Sequence, residues 1–285
     1  MKNTLLIIPT LNAESTIKNL LQKLIIEDID ILVIDSSSTD KTIDITKDLG
    51  VDYIQIKKED FRHGGTRTLG AKYKENIEYL IYMTQDAIIY NKNSIKNILK
   101  PFKDKKVGAV CGRQIPHINE GIFGKHLREF NYPKQSHIRE YKDKTKYGIK
   151  TAFLSNSFAS YRYSALKEVG FFKDDIIFGE DMFVASKMLQ QGYKIVYQAD
   201  AIVYHSHSYS LSQEFKRYFD MGKFHTQEKW ILDDFGKAEG QGKKFVISEI
   251  KYLIKNGRFY LLPLMIIRTS FKFLGYKLAF LHSKI

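Results

Sequence analysis

Residues 4–40, with the sequence TLLIIPTLNAESTIKNLLQKLIIEDIDILVIDSSSTD, contain the pattern that decides the fold. The continuous apolar run at residues 5–8 is typical of a strand that is covered on both faces. Apolar side chains then recur at helical spacing over residues 17–25, and residues 31–34 repeat the buried-strand pattern. The segment therefore predicts a strand, a helix and a second strand, the unit from which parallel sheets are built.

The same alternation continues as far as residue 111. Strand and helix patterns take turns along this part, with strands at residues 51–56, 79–83 and 107–111 and helices at residues 40–49, 66–77 and 94–103. This order predicts an α/β fold, Rossmann-like, with a mostly parallel sheet that carries helices on both faces. Ligands of such sheets bind beyond the carboxyl ends of the strands, so we expect the functional residues there.

The pattern changes in the second half of the chain. Residues 112–150 are basic and lack a clear periodicity, whereas residues 151–225 return to strand and helix patterns. These include two separate strands, predicted at residues 194–196 and 201–204.

The last part of the chain, residues 226–285, has a helical pattern with a glycine-rich interruption around Gly240. We therefore predict a C-terminal helical extension that follows a catalytic domain. The predicted division is a catalytic domain at 1–225, made of a nucleotide-binding half at 1–111 and an acceptor-binding and catalytic half at 112–225, and a helical segment at 226–285.

The net charge of +13 is concentrated in the second half of the chain. Residues 1–100 hold 14 basic and 14 acidic side chains, residues 101–225 hold 20 and 13, and residues 226–285 hold 11 and 5. Excess positive charge is typical of proteins that bind nucleic acid or an anionic membrane surface. Because no zinc-finger spacing, RNP-like motif or arginine-rich helix pattern occurs, the sequence favours the membrane surface and no nucleic-acid partner.

The cysteine content and the amino-terminal residues indicate a cytoplasmic protein. The single cysteine, Cys111, excludes an internal disulfide and fits a reducing compartment. The apolar run of the first strand stops at Pro9, which is too short for the apolar region of a secretory signal peptide.

Two polar segments follow the first two predicted strands. Pro9, Thr10 and Asn12 come after the first strand, and the run DSSSTD begins at Asp35, at the end of the second. A carboxylate at such a position can accept a hydrogen bond from N3–H of uracil or thymine, and hydroxyls such as that of Ser37 can contact ribose. A helix cap with turn residues is the competing interpretation of the same run.

Arg67 and the pair Gln85 and Asp86 are further candidates. Two glycines precede Arg67 and allow close backbone approach, so its guanidinium can face a phosphate; a flexible turn with a solvated arginine is equally consistent. Asp86 follows a buried strand, where a carboxylate is costly unless it binds something. A pyrophosphate bridged by Mg²⁺ or Mn²⁺ is a natural partner, and a helix cap is the alternative.

Two further polar pairs lie late in the chain. Glu180 and Asp181 follow Gly179, where a carboxylate can serve as the general base that a hydroxyl acceptor needs, or can simply stabilise a helix N-terminus. His205 and His207 share one face if they continue a strand, because side chains repeat every two residues. They can ligate a metal with Asp86, or lie at a polar strand end.

Taken together, these motifs resemble one family. The runs PTLN at 9–12, VIDSSSTD at 33–40, GTR at 65–67, TQD at 84–86 and ED at 180–181 look like those of the family-two inverting glycosyltransferases, over about residues 4–225. The run FRHGGTR at 61–67, with TQDA and the later YHSH, is similar to the bacterial rhamnosyltransferase branch. This resemblance implies the GT-A fold and the use of dTDP-L-rhamnose in O-antigen or other surface polysaccharide synthesis.

The resemblance also implies roles for individual residues. Asp181 becomes the catalytic base with Glu180 beside it, and Asp86 becomes a metal ligand with His205 as a further candidate. The implied nucleotide-sugar contacts are Pro9, Thr10, Asn12, Asp35, Ser37, Arg67, Gln85 and Asp86. The chain departs from the family at Ser36, where many relatives carry a second acid, and at Thr68, where asparagine is usual.

The sequence thus predicts an inverting, metal-dependent transfer of a sugar from a nucleotide donor to a glycan acceptor on a polyprenyl lipid. A transferase of the same fold that uses a UDP-sugar is an alternative, as is a non-catalytic nucleotide-binding module. A sugar nucleotidyltransferase would ordinarily carry a basic, glycine-rich loop after the first strand, and residues 9–14 contain neither a glycine nor a basic residue.

Peripheral membrane association is predicted for the C-terminal segment. Residues 259–281 are largely apolar, but Pro263, Arg268, Lys272 and Lys277 interrupt them, so no run reaches the roughly 18 consecutive apolar residues of a spanning helix. With the local positive charge, this favours docking on the inner face of the cell membrane. A helical pair that packs on the catalytic domain is the alternative.

Overall fold

The computed structural model describes residues 3–236 and 239–282. The strands in this part of the chain are β1 (Thr4–Thr10), β2 (Asp30–Asp35), β3 (Asp52–Gln55), β4 (Tyr79–Met83), β5 (Ile88–Ile89), β6 (Val107–Ile115), β7 (His137–Arg139), β8 (Phe158–Arg162) and β9 (Lys194–Tyr204). The helices are α1 (Glu14–Leu24), α2 (Thr42–Asp48), α3 (His63–Ala71), α4 (Ser94–Leu99), α5 (Ile122–Asn131), α6 (Lys144–Tyr147), α7 (Tyr163–Glu168), α8 (Glu180–Gln190), α9 (Leu211–Gln227), α10 (Lys229–Phe235), α11 (Glu239–Lys255) and α12 (Leu262–His282).

The strands of the described residues form one nine-stranded sheet in the order β3-β2-β1-β4-β8-β6-β9-β5, with β7 paired to β9. Strands β1 to β4 run parallel to one another, and β6 and β9 run in the same direction. Strand β8 is antiparallel to β4 and β6, and β5 and β7 are antiparallel to β9. The sheet is therefore mostly parallel, as the sequence predicts.

Strand β1 shows why the sheet is covered on both faces. Leu5 and Ile7 belong to the hydrophobic core on one face, and Leu6 and Ile8 belong to the core on the other. Side chains alternate across a strand, so a continuous apolar run provides both cores at once. This arrangement confirms the predicted α/β class with helices on both faces.

Several predicted elements differ from the structure. The two strands predicted at 194–196 and 201–204 are one continuous strand, β9, and the helix predicted at 66–77 runs over His63–Ala71. The stretch at 112–150, which lacks a clear pattern, contains α5 and the edge strand β7. Helix α5 escaped prediction although its apolar and basic side chains lie on opposite sides, and its Gly124 and His126 are buried.

The C-terminal helices pack on the rest of the chain through α9 and α12. The contact is close, since a Cβ at Gly222 would lie 2.6 Å from the Cβ of Ala279, and one at Gly275 would lie 2.4 Å from the carbonyl oxygen of Phe215. The predicted boundary at residue 225, between the catalytic domain and the helical segment, lies within helix α9. The division of the chain into these two parts stays a prediction. No helix in the described ranges is both long and apolar enough to cross a bilayer.

Candidate active site

The carboxyl ends of β1 and β2 form a polar floor. Asp35 is fully buried, and Thr10 donates a hydrogen bond from Oγ1 to its Oδ1 at 3.2 Å. The backbone N–H of Ser38 donates to Asp35 Oδ2 at 2.9 Å, and the Ser38 hydroxyl donates to Oδ1. These donors compensate the cost of burying the carboxylate and fix its orientation.

A cavity of about 280 Å³ lies directly beside this floor. Phe61 and Lys58 line it, although neither is among the site residues that the sequence predicts. An aromatic ring offers a stacking surface for a base, and an ammonium group favours an anionic ligand. The other lining residues are Pro9, Thr10, Leu11, Ser36 and Gln85.

The remaining predicted nucleotide contacts hold the backbone around this cavity. Asn12 Oδ1 accepts from the N–H of Thr39 at 2.9 Å, and the Ser37 hydroxyl donates to the carbonyl oxygen of Ile56 at 2.9 Å. The Gln85 amide pairs with both backbone groups of Leu11, accepting at 2.8 Å and donating at 3.1 Å. These three side chains therefore fix the loops that follow β1, β2 and β4.

Asp86, His205 and His207 converge beyond the ends of β4 and β9. Asp86 Oδ2 lies 3.5 Å from His205 Nε2 and 3.4 Å from His207 Nε2, and the two nitrogens are 3.1 Å apart. Neighbouring ligands at about 2.1 Å from an octahedral ion lie roughly 3 Å from each other, so the spacing fits one shared divalent cation. His207, a candidate that the sequence leaves open, is thus placed with the other two.

Hydrogen bonds behind this cluster set the protonation of its histidines. His205 Nδ1 lies 2.8 Å from Gln114 Oε1, which also accepts from Arg128 at 2.9 Å, so Nδ1 carries the proton and Nε2 presents its lone pair. Burial lowers the pKa of His205, and it lowers the pKa of His207 to about 4. Neutral imidazoles and an ionised carboxylate are the forms that bind a metal.

Glu180 and Asp181 begin helix α8, directly after Gly179, whose φ of +85° turns the chain into the helix. Asp181 accepts hydrogen bonds from the backbone N–H groups of Asn156 at 3.2 Å and Met182 at 2.8 Å. Burial and the neighbouring charge of Glu180 nevertheless raise the pKa of Asp181 to about 7. A half-buried carboxylate with this pKa can accept a proton near neutral pH and remain within reach of an acceptor.

Arg67 lies against Glu180 in the interior. Its Nη1 is 3.2 Å from Glu180 Oε1 and donates to the carbonyl oxygen of His63 at 2.9 Å. Both side chains of the ion pair are almost completely buried. Although burial opposes it, the positive charge of Arg67 holds the pKa of Glu180 below its usual range, which leaves Asp181 as the member of the pair that titrates.

A short polar run, Ser155, Asn156 and Ser157, joins the parts of the site. Ser155 Oγ accepts from Gln114, which supports His205, and the carbonyl oxygen of Ser157 accepts from the N–H of Thr84 at 3.4 Å. Asn156 Nδ2 donates to Glu180 at 3.0 Å, and its Oδ1 accepts from Tyr161 at 2.6 Å. The run escaped prediction because a Ser-Asn-Ser sequence has the composition of an ordinary turn.

Comparison with known proteins agrees with this geometry. The model of the family described as glycosyl transferase family 2 matches residues 5–170. The chain belongs to this family. The glycosyltransferase is 46% identical over 284 residues to the O-antigen chain rhamnosyltransferase RfbN of Salmonella typhimurium, which covers 98% of this chain and 90% of that protein. It is 45% identical over 283 residues to the O-antigen chain rhamnosyltransferase WbaN of Salmonella anatum, with the same coverage.

Solved structures show that the glycosyltransferase has the GT-A fold. The mannosyltransferase PcManGT of Pyrobaculum calidifontis, in complex with GDP-Man and Mn²⁺, aligns with a TM-score of 0.65 at 14% identity, over 97% of this chain and 85% of that one. TarS 1–349 of S. aureus, in complex with UDP, aligns with a TM-score of 0.57 at 16% identity, over 97% and 89%. The resemblance in the sequence motifs is thereby confirmed for family and fold.

Proposed function

We propose that this glycosyltransferase moves L-rhamnose from dTDP-L-rhamnose to a glycan acceptor in O-antigen synthesis. The observation that carries the proposal is the 46% identity, over nearly the whole chain, to an O-antigen chain rhamnosyltransferase. The buried Asp35, held with its carboxylate at the end of β2, supports a pyrimidine base as the recognised group. A UDP-sugar donor is the alternative that shares this recognition.

Asp181 is the proposed general base. Its carboxylate takes the proton of the acceptor hydroxyl while that oxygen attacks the anomeric carbon and the bond to the diphosphate oxygen breaks. A single displacement inverts the configuration and requires no covalent intermediate on the protein. Glu180, ionised and paired with Arg67, raises the basicity of Asp181 by charge repulsion. Arg67 thus keeps Glu180 ionised, in addition to the nucleotide contact that the resemblance implies.

Asp86, His205 and His207 are the proposed ligands of a divalent cation, Mg²⁺ or Mn²⁺. When bound, such an ion neutralises charge on the leaving diphosphate. Gln114 accepts a hydrogen bond from His205 and fixes the orientation of its ring. Gln114 itself is not a proposed ligand of the ion.

Donor binding is tested by thermal denaturation with dTDP or UDP and Mg²⁺. At a concentration of about 100 times the dissociation constant, a nucleotide should raise the melting temperature by roughly 5 °C, since it binds only the folded state. Asp35→Asn should lose most of this shift, whereas Asp44→Asn, on the exposed side of α2, should keep it. Equal stabilisation by ADP and GDP would exclude pyrimidine recognition.

The coupling between the two carboxylates predicts a specific pH effect. The base must be ionised, so kcat/KM should rise with pH through about 7, the pKa of Asp181 in the free protein. Glu180→Gln removes the repulsive charge and leaves Arg67 unopposed, and both changes lower the pKa of Asp181. The acidic limb of the pH–rate profile should therefore move to lower pH. A limb at the same pH in this variant would argue against the coupling.

We also propose that the protein works in the cytoplasm, at the inner membrane face, on an acceptor carried by a polyprenyl lipid. Arg268 and Lys272 of α12 turn towards the protein and pair with Glu214 of α9, at 2.7 Å and 3.3 Å. Helix α12 also exposes large apolar side chains, namely Leu264, Ile266, Ile267, Phe271, Phe273, Leu274, Leu278 and Leu281. Arg268 and Lys272 thus face inward, whereas Lys277 lies on the apolar side with its Nζ 5.6 Å from the centroid of the Phe273 ring, where it can snorkel. The exposed apolar side chains support contact with an apolar environment.

The chemistry around this apolar face supports a lipid bilayer as its partner. Exposed Lys255 and Arg258 lie just before α12, next to exposed Phe259 and Tyr260. Basic and aromatic side chains beside an apolar helix face suit the anionic headgroup region, where each positive charge contributes about 1 kcal/mol.

Cosedimentation with anionic liposomes tests this contact. Ile267→Glu combined with Leu274→Glu places two charges on the apolar face and should lower the bound fraction at least roughly tenfold, because each full burial of such a side chain is worth about 1.5–3 kcal/mol. Ile118→Glu, at a side chain 84% exposed outside α12, is the matched control. Added salt should weaken binding. Unchanged liposome binding by the double variant would contradict the proposal. So would a wild-type dimer that forms without lipid and is dissociated by the two substitutions.

A further inference from the structure

A second cavity, of about 180 Å³, has a lining of different chemistry from the nucleotide pocket. Cationic Arg139 and Lys150 line it together with aromatic Phe130, Tyr147 and Phe153. None of the described residues that line it is acidic. The cavity thus combines two positive charges with an apolar wall, and no lining carboxylate balances those charges.

Arg139 is the unusual member of this lining. Only 2% of its surface is exposed, and its Nη1 donates to the carbonyl oxygen of Lys150 at 2.6 Å. Its Nε and Nη2 are buried without a hydrogen-bond partner, and no carboxylate of the described residues forms an ion pair with it. An uncompensated buried charge is costly, so a guanidinium retained here indicates that an anion completes the arrangement.

Lys150 adds a second positive charge to the same cavity. Its Nζ lies 4.1 Å from the centroid of the Phe130 ring. Burial lowers the pKa of Lys150 to about 8, and the positive charges of Lys244 and Arg139 act in the same direction. The like charges therefore repel each other across the cavity, and a multivalent anion between them would relieve this repulsion. The two free N–H directions of a guanidinium suit the paired oxygens of a phosphate group.

One wall of the cavity is close along the chain to the segment that holds the proposed base. Phe153 lines it, and Asn156, three residues later, donates its backbone N–H to Asp181. Three residues of chain span at most roughly 11 Å, so the cavity wall lies within that distance of the segment that holds the base. The nucleotide pocket, in contrast, is lined by residues at the ends of β1 and β2.

We propose that Arg139 and Lys150 bind a phosphate group, either inorganic phosphate or the phosphate of a lipid carrier that bears the acceptor glycan. The second source rests on the proposed glycosyl transfer to a lipid-linked acceptor. The first does not, so the two sources are separable by experiment.

The test is thermal denaturation of the full chain with inorganic phosphate, at constant ionic strength and with saturating dTDP and Mg²⁺ to fill the donor site. Phosphate should raise the melting temperature of the wild type. Arg139→Met should abolish this rise and be at least as stable as the wild type without phosphate, because it removes an unpaired buried charge. Lys150→Met should reduce the rise, and Lys134→Met, at an exposed lysine outside the lining, should keep it.

No rise in the wild type, or an equal rise in the Arg139→Met and Lys150→Met variants, would overturn the phosphate site. Stabilisation by dTDP is read separately, so a failure of the donor proposal is distinguishable from a failure here. Steady-state transfer then identifies the source. If the acceptor supplies the phosphate, Arg139→Met should raise KM for the phosphate-bearing acceptor roughly tenfold or more relative to the same glycan without it. If Arg139→Met changes KM equally for both acceptors, while phosphate raises the melting temperature of the wild type, the site binds inorganic phosphate.

Discussion

Asp181→Asn should lower turnover by about 10²–10⁴-fold, the usual contribution of general base catalysis. Asparagine keeps the size of the side chain and one of its two backbone contacts, that with the N–H of Asn156, but it cannot take the proton of the acceptor hydroxyl. Affinity for dTDP should change little, because the nucleotide pocket is lined by other residues. Single-turnover transfer together with dTDP titration separates the two effects.

The matched control for this variant is Asp175→Asn, since the Asp175 side chain is 73% exposed and lies in the segment before α8. It should transfer sugar at the wild-type rate. Near-normal turnover by Asp181→Asn would assign the base to another group, with Glu180 the first to examine.

Asp86→Ala should lower kcat/KM by roughly 10³-fold, since a bound cation contributes several kcal/mol of charge stabilisation and each 1.36 kcal/mol is a factor of ten. The side chain supplies the carboxylate of the proposed donor set, so His205 and His207 alone would bind the ion weakly. Chelation of the wild-type protein should reproduce the loss, and Mg²⁺ or Mn²⁺ should reverse it.

Gln114→Leu offers an independent check on the metal. It leaves all three proposed ligands in place but removes the acceptor that fixes His205, so the metal concentration for half-maximal activity should rise about 10–100-fold. Full activity of the wild type in excess chelator, or an unchanged metal requirement in both variants, would contradict the proposed metal site.

The sequence predicts the first half of the fold well because its signals are local. Continuous apolar runs identify β1 and β2, and apolar residues at helical spacing identify α1. Each polar segment is then positioned by the end of its own strand. The family and the fold are confirmed by the comparisons, whereas the roles of the individual site residues stay predictions.

The connections between distant residues escaped the sequence because they depend on strand order. Asp86 meets His205 because β5, which follows Asp86, pairs with β9 at Ile88 and Tyr204, and no local pattern indicates this pairing. The ion pair between Arg67 and Glu180 depends on that order too, as do the links made by Asn156. For the same reason, the inward turn of Arg268 becomes visible only once α12 is packed against α9.

The helix through Gly240 is a further case in which packing overrides local preference. Two exposed glycines near its start favour an interruption, yet α11 runs over Glu239–Lys255. Contacts with α5 compensate the entropy cost of helical glycine, since buried His126 lies 2.9 Å from Ser248 and 3.5 Å from Glu249.

The most direct test of the account is sugar transfer with defined donors. The purified full chain should be incubated with Mg²⁺ and an O-antigen repeat-unit acceptor, with dTDP-L-rhamnose or with UDP-glucose and UDP-N-acetylglucosamine as donors. From dTDP-L-rhamnose alone, we predict dTDP release coupled one-to-one to rhamnosylation, with the anomeric configuration opposite to that of the donor. Asp181→Asn should form product at least about 100-fold more slowly. Preferential transfer from a UDP-sugar would contradict the proposed donor, and retention of the donor's configuration would contradict the proposed single displacement.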